Sequence, residues 1–233
     1  MTHQRLEANA LLIDLDGTLV DATEALVEAA KHAISATALN NVNPQIGIEI
    51  ARQLQSNLSL DNLLHEIGIV EATKRKFVAS YLQAFHDLTL KKTNCIPNVQ
   101  TTLCKLSKHL PLALVTRRDT SQKMLAKELE HLQLIQYFKA ILTSQDVTKP
   151  QPSPEILFEA AQRLKMSIRE CAFVTDSIVD IQAGKAAGIK TVAVLSGLFS
   201  RKELEKWRPD FIVENINCLP GLLSDHSEKR SNS

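Results

Sequence analysis

A chain of 233 residues, 44% of them apolar, is long enough to bury one generous core or a core carrying an inserted smaller unit. Its formal net charge of +1 excludes the basic footprint of a protein that holds nucleic acid or an anionic membrane, so neither is an expected partner. No apolar run reaches membrane-spanning length, the N-terminus lacks a signal-peptide pattern, and Cys95, Cys104, Cys171 and Cys218 form no Cys-x-x-Cys pair; a cytoplasmic protein with reduced thiols and no zinc site is expected.

The apolar run Ala10 to Ile13 predicts a short buried strand, and it ends in Asp14 and Asp16, followed by Gly17 and Thr18. Alternation along the strand puts both carboxylates on one face, and Gly17 lets the chain turn at once. Carboxylates so close repel each other unless a cation or a shared proton lies between them. A helix-capping acidic turn is the plain alternative. A calcium loop is a poorer one, because its twelfth position needs glutamate and here holds Ala25.

Asp21 can cap a helix from Ala22 to about Leu39, with Leu26, Ala30, Ala33 and Ile34 as its apolar stripe. No strand is predicted from there to about Lys92. The turn cluster Asn40 to Pro44 precedes a helix over 45–55, a short helix follows Ser59, and a fourth runs from Glu71 to about Leu90. Phe77, Val78, Tyr81, Leu82, Phe85 and Leu88 recur on that fourth helix at a spacing assigned to packing rather than to a ligand box. Lys74-Arg75-Lys76 reads as a solvated face, or else as a basic patch that draws in an anionic substrate.

Beyond Ile96-Pro97 helices and strands alternate, which predicts a parallel sheet. Strands are expected at 112–116, 140–142, 171–175 and 191–195, with helices at 98–109, from an Asp119 cap to about 131, at 155–164, and at 177–187 closed by Gly188. The expected fold is α/β: a doubly wound, Rossmann-like parallel sheet whose core spans 1–18 and 92–225, an all-helical cap over 19–91 inserted after the first strand, and a flexible tail over 226–233.

Were Asp14 to displace a phosphate ester, the site would need a metal to relieve carboxylate repulsion, donors for the phosphoryl oxygens and an acid for the leaving group. Asp176 and Asp180 stand at the end of a predicted strand and in the first turn of the next helix, a cluster that suits Mg²⁺; a capped helix with a solvated partner is the alternative. Thr116 ends another strand and can donate a hydroxyl. Lys149, between prolines in Thr148-Lys-Pro-Gln-Pro-Ser-Pro154, can be aimed at an anion. Arg117 and Arg118 come directly after Thr116, Arg117 as a further phosphate-binding candidate and one of the two held in a salt bridge.

Asp-x-Asp-Gly-Thr, a strand-end Thr, a loop Lys before Pro, and strand-Asp-x-x-x-Asp occur here in the order of the haloacid dehalogenase (HAD) superfamily, which the chain resembles over nearly its whole length. The run Asp176 to Ile189 is similar to the fourth motif of phosphoglycolate-phosphatase-like members, and the helical insert to that family's first-type cap. The resemblance implies that Asp14 is the nucleophile forming an aspartyl-phosphate and that Asp16 is the general acid and base. It further implies that Asp14, the Asp16 carbonyl and Asp176 hold Mg²⁺ with Asp180 nearby, while Thr116 and Lys149 hold the phosphoryl group.

Within that family an aspartate at the second acid points to phosphate esters rather than to dehalogenation or phosphonate cleavage, since an ester's leaving group needs a proton donor. Ala22, Leu26 and Thr175 stand where related sugar phosphomutases tend to place Thr, His and a metal-binding Glu, which favours hydrolysis; a phosphomutase or a weakly catalytic phosphate-binding regulatory module are the alternatives. Two positions depart from the usual pattern. Thr175 replaces a glycine and would crowd the metal loop if that position needs positive φ, and Asn98 replaces the glycine after the hinge proline. The expected partner is a small phosphorylated metabolite, with Arg52, Gln53 and Asn57 as candidate contacts; its identity and the oligomeric state are not legible.

Overall fold

The computed structural model describes residues 5–37, 44–56 and 60–223. The chain opens on β1 (Ala10–Ile13), β2 (Val20–Asp21) and four helices, α1 (Thr23–Ala36), α2 (Pro44–Ser56), α3 (Asp61–Glu66) and α4 (Glu71–Lys92). It continues through β3 (Asn94–Cys95), α5 (Val99–Ser107), β4 (Leu112–Val115), α6 (Gln122–His131), β5 (Ala140–Leu142), α7 (Glu155–Arg163), β6 (Cys171–Thr175) and α8 (Ile178–Ala187). The last elements are β7 (Lys190–Val194), α9 (Arg201–Glu205), β8 (Phe211–Val213) and α10 (Leu219–Leu222).

Six strands form one parallel sheet in the order β5-β4-β1-β6-β7-β8. β1 is central and wholly buried because both faces of the sheet are covered. Leu11, Ile13, Leu114 and Val174 point to one face, packed on α5 and α6, while Ala10, Leu12, Val115 and Phe173 point to the other, packed on α7 and α8. Ile13 is level with Leu114 and with Val174, so β1, β4 and β6 end side by side and their three C-terminal loops start from one place. The expected doubly wound α/β sheet is the observed one.

The helical insert has its own core, in which Leu26, Ala29 and Ala33 of α1 meet Ile50 of α2, Leu64 of α3 and Phe77 and Tyr81 of α4. It joins the sheet through an antiparallel ribbon in which Val20 pairs with Cys95 and Asp21 with Asn94. Arg52 of α2 ties it to the far side of the core, donating to the Leu198 carbonyl, pairing with Glu203 and lying 5.4 Å from the centre of the Phe199 ring.

Some local expectations need correcting. Two-residue strands such as β2 and β3 carry no periodicity, so the sequence gives no sign of them. Asp21 does accept from the Thr23 amide at 2.9 Å, but α1 closes at Ala36, where the Thr37 hydroxyl donates to the Ile34 carbonyl; residues 38 and 39 lie outside those described. Ser121 rather than Asp119 caps α6, accepting from the Met124 amide at 3.3 Å. β8 is an addition to the expected strands, and Asp210 fixes its start by accepting from the Thr191 amide and hydroxyl. Asn98 takes the left-handed conformation at φ 65°, which asparagine tolerates better than most residues, so the loss of glycine there has a local solution. Among the described residues no helix is long and apolar enough to cross a membrane.

Candidate active site

Where β1 stops, the Asp14 amide still bonds the Val174 carbonyl, which continues the sheet by one residue and holds the Asp14 side chain at the strand ends. The chain then turns tightly: the amides of Leu19 and Val20 return to the Leu15 carbonyl, and Gly17 adopts φ +80°. A side chain at Gly17 would overlap the Asp176 carboxylate, and one at Gly197, after β7, would do the same. Both glycines make room for that carboxylate. Ser196 closes the neighbouring loop by donating its hydroxyl to the Gly17 carbonyl at 2.7 Å.

Asp14, Asp176 and Asp180 are buried, and each has a raised pKa. For Asp14 burial is the first cause, and the charges of Asp180, Asp176 and Asp16 add to it. Asp176 is pushed up to about 7 by burial and then by Asp180, against the pull of Arg117. Both Asp176 carboxylate oxygens are buried without a hydrogen-bond partner. Asp180 is better served, accepting from Thr175 at 2.9 Å and Gln151 at 2.8 Å with Arg117 Nε 3.6 Å away, although burial still raises it. Among the described residues no three such side chains converge as a preformed metal cage. Even so, orphaned acid oxygens beside two further buried carboxylates are chemically fitted to a hard divalent cation.

The structure also brings Asp16, Thr116 and Arg117 to the cavity of about 980 Å³ that contains Asp14 and Asp176, under the helical insert. Lys149 is not brought in. Its side chain is exposed and its amide bonds Glu155, while its neighbours Thr148 and Pro150 line the cavity. Arg117 sits beside Asp180. Of the candidate insert contacts, Arg52 faces Glu203 and Gln53 donates to Glu49 at 3.3 Å, neither of them lining the cavity, and Asn57 lies outside the described residues.

Thr175 continues β6 without positive φ, and its hydroxyl donates to Asp180 and accepts from the Ser177 amide at 3.0 Å. The crowding that a β-branched residue could bring there is absent, and the hydroxyl has become part of the acid cluster.

Arg118 carries more than the sequence conveyed. It grips Asp16 with both ends of its fork at 2.7 and 2.6 Å and reaches Glu128 at 2.6 Å, with 8% of its side chain exposed. Burial alone would lower its pKa, but the Asp16 and Glu128 carboxylates raise it. Phe85 of α4 covers its face, 5.4 Å from ring centre to guanidinium carbon. Glu128 goes unnoticed in the sequence because an acid in an amphipathic helix ordinarily faces water. Tyr81, Leu82 and Phe85, assigned to packing alone, also line the cavity.

A sequence model of the family described as haloacid dehalogenase-like hydrolase matches residues 11–194. The phosphoglycolate phosphatase of Shigella boydii is 31% identical, over 96% of each chain. Pyrophosphatase PpaX of Bacillus cereus is 29% identical over 94% of this chain and 98% of its own. Among solved structures, a hydrolase from Pseudomonas syringae superposes with a TM-score of 0.73 at 26% identity, covering 93% of this chain and all of that one.

Proposed function

This chain belongs to the haloacid dehalogenase-like hydrolase family, and from that premise we propose that it is a Mg²⁺-dependent phosphatase that hydrolyses a small phosphomonoester through an aspartyl-phosphate on Asp14. Relatives named as phosphatases at about this identity over the full length support the reaction class. The observation that carries the reading is the burial of Asp14 among carboxylates at the joined ends of β1 and β6, facing a cavity lined by Asp16, Thr116 and Arg117. On this reading the described residues of 19–91 are the cap over this site and those of 1–18 and 92–225 the core, while the tail expected over 226–233 lies outside the described residues.

Asp14, the Asp16 carbonyl and Asp176 would hold Mg²⁺, with Asp180 beside them; bound there, the ion supplies the positive charge that offsets their repulsion and favours an ionised Asp14. The Asp14 carboxylate forms a bond to phosphorus as the ester P–O bond breaks, and the departing oxygen takes a proton from Asp16. Asp16 then accepts a proton from the water that attacks the phosphorus, releasing phosphate and free Asp14. Arg118 holds the Asp16 carboxylate by both oxygens, which fixes its direction and readies it as the base of the second step. Thr116 and Arg117 hold the phosphoryl oxygens. Lys149, on a flexible stem at the rim, swings toward the dianion when substrate is present.

The test is phosphate release from phenyl phosphate with and without Mg²⁺, wild type beside Asp14→Asn. Turnover that needs Mg²⁺ and falls by at least about a thousandfold in the variant is expected. A variant that keeps the wild-type rate removes Asp14 from the reaction.

A further inference from the structure

The part of the cavity wall contributed by the cap is mostly apolar. Leu26, Ala51, Ala79, Leu82 and Phe85 line it. Leu82, 51% exposed, shares the cavity with Met124 of α6, 46% exposed. Large apolar side chains left open to water in a cavity are suited to an apolar ligand. Among the described residues no lysine or arginine of 19–91 lines the cavity, and His86 is the cap group there able to become positive. Lys31, Arg52, Lys74 and Lys92 are instead paired with Glu28, Glu203, Asp61 and Glu24. Residues 38–43 and 57–59 contain no lysine or arginine, and the side chain of Lys91 lies outside those described. On the core side, Arg118 is engaged by Asp16 and Glu128.

Tyr81, Gln83, His86 and Thr89 are the polar cap residues of this wall; Thr89 donates its hydroxyl to the His86 carbonyl at 2.9 Å and Gln83 its amide to Asp87 at 3.1 Å, which leaves Tyr81 as the one with a buried polar atom unused. Tyr81 is 3% exposed, its ring lies 6.4 Å from that of Phe85 with the planes 10° apart, and its hydroxyl is buried without a hydrogen-bond partner. It is close enough to Asp16 and Arg117 to feel both charges, and Arg118 already bonds both Asp16 oxygens. A buried hydroxyl with no protein acceptor on the wall of a cavity is suited to a partner that enters that cavity.

Resting on the phosphatase reading, we infer that Tyr81 is a specificity residue: its hydroxyl bonds an oxygen of the leaving alcohol, and the apolar wall around it selects esters of uncharged alcohols with an apolar or aromatic body over esters whose leaving group carries a second anion. Among the described residues a short carboxylate-bearing alcohol would meet no cap lysine or arginine, and it would leave Leu82, Phe85 and Met124 uncovered.

Two esters that differ by one hydroxyl, 2-phenylethyl phosphate and 2-hydroxy-2-phenylethyl phosphate, isolate the Tyr81 contact, with phosphoglycolate as the anionic comparison. In wild type kcat/KM should favour the hydroxylated ester over the plain one by about tenfold, the worth of one good hydrogen bond, and both over phosphoglycolate. Tyr81→Phe keeps the ring and should bring the first ratio to about one. An equal ratio in wild type, a ratio unchanged in the variant, or a preference for phosphoglycolate overturns the inference. Calorimetric binding of the same two esters to Asp14→Asn, with and without Tyr81→Phe, reads the ratio without turnover. Absence of Asp14-dependent phosphate release would then refute the phosphatase reading while the binding ratio still decides the role of Tyr81.

Discussion

Replacing Asp176 by asparagine should make the metal-free protein respond to pH in a direction opposite to ordinary acid denaturation. Asp176 is raised from 3.8 to about 7 by burial and by Asp180, and both its oxygens lack partners. Because the folded form binds the proton more tightly than the unfolded chain, this group's contribution is neutral below pH 3.8 and turns destabilising as pH rises toward about 7. Linkage over that window gives a loss of about 2 to 3 kcal/mol between pH 5 and pH 8, taking one pKa unit as roughly 1.4 kcal/mol. Asparagine cannot ionise, and any cost of burying its amide is the same at every pH. Urea unfolding of both proteins in the presence of a chelator, at pH 5, 6, 7 and 8, should therefore show the variant gaining on wild type by about that amount as pH rises. A difference that stays flat, or that moves the other way, would refute the argument that this carboxylate is held unpaired. Saturating Mg²⁺ at pH 8 should stabilise wild type more than the variant.

The other expectations concern the supports of the site. Arg118→Met strands the buried Glu128 carboxylate and the half-buried Asp16 carboxylate and should cost about 3 kcal/mol of stability by urea titration, whereas a surface ion pair would cost under about 1. Gly197→Ala pushes a methyl group into the Asp176 carboxylate and should lose about 1 to 3 kcal/mol together with most phosphate release; Gly221→Ala, where an added Cβ meets nothing within 4 Å, should do neither. Thr175→Gly removes the hydroxyl shared by Asp180 and the Ser177 amide and should destabilise by about 1 to 2 kcal/mol, lowering rather than restoring turnover; a faster variant would show that the usual glycine is needed here.

The strand ends are legible in the sequence because they obey short-range rules. Ala10 to Ile13 must be buried on both faces, alternation then puts Asp14 and Asp16 together, and β6 repeats the device with Asp176. Whatever depends on two distant segments meeting is not legible in the same way. Arg118 and Glu128 are unremarkable until Asp16 and α6 are brought together around the guanidinium. Tyr81 and Phe85 satisfy helical periodicity equally well whether they face a protein core or a cavity, and in fact they do both. The prolines around Lys149 suggest a cation aimed inward, yet backbone stiffness fixes where a side chain starts and not where it ends. A steric rule alone warns against Thr175, and such a rule cannot register that its hydroxyl finds Asp180.

The ribbon of β2 and β3 has a consequence for how such a protein can change. Asp21 and Asn94 face each other across one antiparallel pair, so everything between them leaves and re-enters the sheet through a gap of about 5 Å. A tight turn could close that gap, and so could a block of quite different size or shape, without altering the register of any of the six parallel strands. The acids that carry the proposed reaction are anchored on the sheet side of this junction, and Tyr81, Leu82 and Phe85 on the other. Exchange at a single splice point can therefore give the same reaction a new clientele.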